Sequence, residues 1–241
     1  MNAALLIARR EIAAQFQSVI GYVIVAALLL LDGLLFHSFA MSDSKDLSSK
    51  VLAKFFYMSS GITGAAGILL SMRLLAEESR EKTIVLLATA PISDWQIVFG
   101  KWLSAFAVVT VFVALSIYLP LLIVVHGSVH PGHLASGYLG LLLIGAATSA
   151  MGTFCSSITS HQLVAGVLGS VLLLVMVTTW WTAKVAAPPL DDVLAYMSFY
   201  DKHFLPFTTG EVHTRAVVYY LSLTFLCLLG ARLALGARRW R

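Results

Sequence analysis

"LLAEESREKTIVLLATAPISDWQIVFGK", residues 74–101, sets Glu77, Glu78, Arg80, Glu81, Lys82 and Asp94 between two apolar runs. Only 12% of the 241 residues are charged, whereas 59% are hydrophobic, so six charges within one short stretch are a local anomaly. A polar island of this kind reads as a loop that leaves an apolar medium and returns to it.

The rest of the chain supplies that medium. Its mean hydropathy is +0.88, and its apolar fraction lies above the roughly 45–50% of soluble domains. A helix needs about 20 apolar residues to cross hydrocarbon, because every backbone polar group must be satisfied internally there. Six runs qualify, at about 19–40, 55–76, 96–125, 134–158, 163–183 and 216–236. The expected fold is all-α, a single polytopic membrane domain over 1–241 with six transmembrane helices. The composition argues against a soluble enzyme. The first run has no A-x-A-like cleavage site and holds Asp32 in its interior, so it reads as a retained span.

Six spans return the chain to the side on which it began. Ten of the sixteen Lys and Arg residues fall on that side, among them Arg9, Arg10, Arg73, Arg80, Lys82, Lys101 and Arg232. Positive charge favours the cytoplasmic face, which predicts cytoplasmic termini and a cytoplasmic loop at 77–95 in a bacterial inner membrane. The net charge of +4 is then a topology signal rather than a sign of nucleic-acid binding.

Residues 1–18 are expected to form an interfacial helix. Leu5, Ala8, Ile12, Phe16 and Val19 recur at helical spacing, while Arg9, Arg10, Glu11, Gln15 and Gln17 fill other faces. The plainer alternative is a flank that only sets orientation. Gly61, Gly64 and Gly67, Gly145 with Ser149, and Ala165 with Gly169 offer small surfaces for close helix packing.

Asp32 reads either as a relay or substrate-path contact or as an outer-leaflet residue that reaches water. The 184–215 segment is expected to place one or two short helices on the outer face. His126, His130 and His133 cluster without a carboxylate or thiol nearby, which favours a solvated loop over a metal site. Trp180 and Trp181 fit an aromatic belt, and Cys155 and Cys227 lie inside spans with no disulfide or zinc spacing.

Within the loop, Arg73, Glu77 and Arg80 share helical spacing, and Glu78 with Lys82 forms an i, i+4 pair, so the second span is expected to run on as helix. Residues 83–90 are apolar, too short to cross a bilayer, and stopped by Pro91. Ser93 and Gln96 have capping-box spacing, and Ile92 with Ile97 that of a hydrophobic staple. The loop thus reads as helix, short apolar segment, proline turn and capped helix. Such an elbow suits docking into a groove on a partner, or resting on lipid headgroups.

This stretch, with "ARREIAAQFQSVIGYVIVAALLLLDGLLF" near the start and "VVYYLSLTFLCLLGARLALGARRW" near the end, resembles ABC-2 type transporter permeases, notably the subgroup of the gliding-motility permease GldF. The resemblance implies one half of an ABC transporter, pairing with a second permease half as homo- or heterodimer and with a cytoplasmic P-loop ATPase. It also allows an auxiliary substrate-domain membrane subunit. It implies that Glu77, Glu78, Arg80, Lys82, Ile84, Leu86, Leu87 and Pro91 carry the coupling helix that enters the ATPase. Where many members carry G-T-x-E, this chain reads Lys82-Thr83-Ile84-Val85, and the lysine is expected to favour helix.

The chain carries no phosphate-binding loop of its own. Gly100-Lys101 is followed by Trp102, and Trp95 holds the place of the first glycine. ATP and Mg are therefore expected in the partner, with no cofactor bound by this chain. The competing readings are an ATP-independent secondary carrier using Asp32 and a membrane scaffold of a motility or envelope machine.

Overall fold

The computed structural model describes residues 3–17, 19–40, 48–82, 92–126, 130–185, 194 and 196–238. Ten α-helices are defined among them: α1 (Ala3–Gln17), α2 (Val19–Leu35), α3 (Ser48–Ser71), α4 (Ala76–Arg80), α5 (Asp94–Leu115), α6 (Tyr118–His126), α7 (Pro131–Ile158), α8 (Gln162–Val185), α9 (Leu205–Thr208) and α10 (Thr214–Arg238). A π-helical turn, Phe36–Ala40, continues α2, and no strand occurs among the described residues. Six helical stretches are long and apolar enough to cross a membrane. The chain is a multi-pass membrane protein.

The bundle is built around α7. Gly140, Gly145, Ala147, Thr148, Ala150 and Gly152 give α7 a thin profile, and most of the helix is buried. Helices α3, α5, α8 and α10 all pack on it. Gly67 of α3 shows how close they come: an added Cβ would collide with the Thr148 side chain and stand 2.9 Å from the Ser149 backbone nitrogen. In lipid no hydrophobic effect drives helices together, so such backbone approach is what association depends on. The hydroxyls along this seam turn back on their own helices: Thr63 donates to the carbonyl of Ser59 (2.8 Å), Thr148 to Ile144 (2.9 Å) and Thr153 to Ser149 (2.7 Å). Each polar group is satisfied without water. The small residues singled out in the sequence are therefore packing surfaces, except Gly61, whose Cβ position faces open space.

Two spans differ from their expected outlines. The third is broken into α5 and α6 at Ser116 and Ile117. Pro120 accounts for the break, since it lacks an N–H and its ring crowds the carbonyl of Ser116, four residues earlier. The second begins at Ser48 and ends as α-helix at Ser71, earlier at both ends than hydropathy indicates.

On the side opposite the chain's start, three phenylalanines of residues 196–208 turn inward. Phe199, Phe204 and Phe207 are fully buried, and α9 packs on α7 and α3. His203 stacks on Tyr219 with ring centroids 3.9 Å apart, and its Nε2 meets the Tyr196 carbonyl at 2.9 Å. Burial holds this imidazole below the ordinary histidine range, which favours its neutral form.

Candidate functional site

The described bases of the polar elbow lie beside the chain's first helix on one hand and its last on the other. Arg10 of α1 is 3.6 Å from Glu78 of α4, and an added Cβ on Gly236, near the end of α10, would stand 3.9 Å from Asp94. Residues 83–91 fall outside the described residues, and with them Ile84, Leu86, Leu87 and Pro91 of the expected docking segment. Both bases of the elbow are described.

The leading base is not the continuous helix expected from the charge spacing. After Ser71 the chain turns through residues 72–75 before α4 begins. The turn is held by Ser156 of α7, whose Oγ accepts the backbone N–H of Leu75 (3.0 Å) and of Ala76 (2.9 Å) and donates to the Met72 carbonyl (2.8 Å). One buried hydroxyl thus satisfies three backbone groups that the interrupted helix leaves open. α4 then ends after little more than a turn, with Glu81 as its C-cap and Lys82 at φ +58°. That left-handed conformation is the one glycine favours just past a helix end. A lysine at position 82 therefore does not extend the helix, as the sequence reading expects, but occupies a glycine's conformation at a cost of about 1–2 kcal/mol. Relieving it gives a direct check: Lys82→Gly should leave the fold intact and add up to about 1 kcal/mol of stability after glycine's added chain entropy, read as a small rise in the thermal midpoint.

The trailing base agrees with the sequence. Ser93 Oγ accepts the Gln96 N–H (3.3 Å) and Gln96 Oε1 accepts the Ser93 N–H (3.0 Å), a full capping box. Ile97 is buried and Ile92 packs on the same core.

Between the bases, Lys101, Glu78, Glu11 and Arg10 form an ion cluster. Lys101, two turns into α5, is 1% exposed; its Nζ lies 2.8 Å from Glu78 Oε1 and 3.2 Å from Glu11 Oε1. Arg10 Nη2 closes the group at 2.9 Å from Glu11. Two cations face two carboxylates here, which offsets the cost of burying them. Burial pushes the Glu11 carboxyl up, but Lys101 and Arg10 together pull it below its ordinary value. Its pairing is thus fully present above the ordinary carboxylate range and is lost only on acidification through the lowered value.

The same cluster fixes α1. α1 packs along α5 where Gly100 lets it in: an added Cβ there would stand 2.6 Å from the Ala4 carbonyl. Gly21 permits the bend between α1 and α2, since any side chain would strike the Gln15 carbonyl.

Of the site residues expected from sequence, the structure brings Glu78 into the cluster and leaves Glu77, Arg80 and Lys82 on the exterior. Glu11, Lys101 and Ser156 are additions. Lys101 had a signal, a lone cation inside a predicted span, but Ser156 had none among so many span hydroxyls.

Asp32 lies elsewhere, near the opposite face. It is 1% exposed, with Ser59 of α3 donating to Oδ2 at 3.4 Å, so it points into the bundle and not to water. It does not line the cavity of about 520 Å³ between α3 and α8, whose walls include Tyr57, Leu173, Trp180, Trp181, Tyr200 and Asp201. Lys184 sits over the Trp180 ring at 3.5 Å. Two of the clustered histidines have structural partners: His130 Nδ1 caps α7 by accepting the Gly132 N–H (3.2 Å), and His133 meets the Thr208 carbonyl. The His126 side chain falls outside the described residues.

Comparison with known families gives a match over residues 4–208 to the ABC-2 family transporter protein model. No curated protein matches the chain.

Proposed function

We propose, from the premise that this chain belongs to the ABC-2 family of transporter proteins, that it is the membrane permease half whose elbow receives ATP-driven motion from a separate P-loop ATPase. In this reading the termini and the elbow are cytoplasmic, and two permease halves pair in the cell membrane to export a substrate or transmit force. The residues 72–91 and 237–240 ally it within the family with the gliding-motility permeases.

The observation that supports the reading best is the anchoring of the elbow. Its leading base is tied to α7 by Ser156 and to α5 by Lys101, and its trailing base starts α5 with a capping box. A surface loop with no mechanical task has no use for two rigid roots, whereas a lever needs both. A push on residues 83–91 reaches α5 through Ser93 and reaches α3 and α7 through the turn at 72–75. The chain's part is mechanical; the nucleotide chemistry belongs to the partner.

The experiment is purification of the tagged chain from its native membrane in mild detergent. A P-loop ATPase is expected to accompany it. Leu86→Asp and Leu87→Asp place a charge on the apolar docking segment, and each should cut the recovered ATPase at least about tenfold, a loss of about 1.4 kcal/mol or more in binding. Membrane insertion should be unchanged. Full recovery of ATPase with both variants contradicts docking through this segment.

A further inference from the structure

We propose that His203 is an acid-sensitive catch: neutral, it holds the segment 196–204 against α10, and protonated, it lets that segment go. The proposal does not rest on the coupling reading; it needs only the packing at the face opposite the chain's start.

Three contacts fasten the segment to α10. The Tyr219 hydroxyl donates to the Met197 carbonyl (2.9 Å), the Tyr220 hydroxyl donates to the Phe199 carbonyl (2.7 Å), and the His203 ring stacks on the Tyr219 ring. His203 also ties the segment to itself, with Nε2 2.9 Å from the Tyr196 carbonyl. A carbonyl only accepts, so Nε2 carries the hydrogen and a second proton has to enter at Nδ1. The imidazole is 1% exposed, so an imidazolium formed in place is cut off from water.

Nothing nearby compensates that charge. The charged groups that act on the ring, Lys202 beside it in the chain and Arg215 at the start of α10, are both cations and disfavour a third. Asp201 is the nearest carboxylate in sequence, and it is under the influence of Lys184 of α8. Glu211 pairs with His213 at 3.3 Å. The other titratable groups that surrounding elements bring to this region are the phenols of Tyr57, Tyr196, Tyr200, Tyr219 and Tyr220, and His133 of α7, which meets the Thr208 carbonyl. Ring faces attract a cation, but by less than burial without a counter-ion costs.

A protonated His203 therefore gains by reaching water, and to do so it gives up the stack on Tyr219 and the bond to Tyr196. The folded segment binds fewer protons here than the opened one. Closure is thus at full strength above the ordinary histidine value of about 6.5 and weakens as pH falls through it. The segment also supplies Tyr200 and Asp201 to the cavity of about 520 Å³, so the catch sits on a wall of that cavity. In the topology proposed above, this face meets the external medium.

Hydrogen exchange on the purified protein, corrected for the intrinsic pH dependence of exchange, reads the opening in peptides covering 196–204, with α7 as the internal control. Passing from about pH 7.5 to about pH 5 should speed exchange in 196–204 by about tenfold or more while α7 stays protected. His203→Gln keeps a donor for the Tyr196 carbonyl and cannot take the charge, so it should abolish the acid response whatever its exchange at neutral pH. His133→Gln should retain the response. Should His203→Gln fail to fold, exchange of the ring C–H measures each imidazole in the parent, and His203 should take its proton below about 6.5. An acid response no larger than that of α7, its survival in His203→Gln, its loss in His133→Gln, or titration of His203 at the ordinary value overturns the proposal.

Discussion

Gly67→Leu is expected to prevent the chain from yielding a monodisperse species in size-exclusion chromatography. The Cβ position of residue 67 already overlaps the Thr148 side chain and stands 2.9 Å from the Ser149 backbone nitrogen. A threonine side chain can rotate away, but a backbone atom in the centre of α7 cannot move without shifting the helix on which α3, α5, α8 and α10 pack. Overpacking in a yielding core costs about 1–3 kcal/mol, and here a whole leucine is forced against backbone, so the cost should exceed that range. Gly67→Ala should be milder, and Gly67→Ala/Thr148→Ala milder still because the first obstacle is removed. If Gly67→Leu matched the parent in yield and thermal midpoint, α3 would not be seated on α7 as described.

Ser156→Ala should be nearly as damaging, for the opposite reason. Nothing is crowded; instead the backbone N–H groups of Leu75 and Ala76 and the carbonyl of Met72, where the turn leads into α4, lose their shared partner. An unsatisfied buried polar group costs about 1–3 kcal/mol, so the variant should lose several kcal/mol unless water enters. The loss should be local, with faster hydrogen exchange at residues 74–82 and little change in α10. Ser156→Thr keeps the hydroxyl and should retain most protection. Parent-like exchange in Ser156→Ala would mean that the hydroxyl is not what holds the turn.

The features legible in the sequence are those that depend on neighbours along the chain. Hydropathy located six spans because a crossing helix needs an unbroken apolar run. The capping box at Ser93 and Gln96 was legible because four consecutive residues contain it. What the sequence concealed depends on pairs far apart. Glu11 and Lys101 are ninety residues apart, and nothing in either segment marks the other as its partner. Lys101 instead counted only toward orientation. Ser156 was hidden among the many hydroxyls of α7, all equally suited to bond their own helix.

The elbow itself shows where local reasoning stops. Charge spacing from Arg73 to Lys82 satisfies the pattern of a continuing helix, yet i, i+4 pairs add only about 0.2–0.5 kcal/mol each. That is too little against a buried hydroxyl and a buried ion cluster, which hold the chain in a turn and draw Glu78 inward. Lys82 shows the same ranking, since its helix propensity is overridden and it adopts the left-handed conformation. Asp32 could not be assigned to water or protein from its depth alone; its orientation toward Ser59 follows from the packing of α2 on α3.

The account's central claim is that the elbow is a lever for a motor carried on another chain. A photo-crosslinking amino acid at position 80, the exposed last residue of α4, tests it in intact cells. The account predicts an adduct containing a P-loop ATPase, together with labelling of Arg80→Cys by a membrane-impermeant thiol reagent only after the cytoplasm is opened. Labelling of that position from outside, or adducts with lipid alone in an assembly that retains its partners, would contradict it.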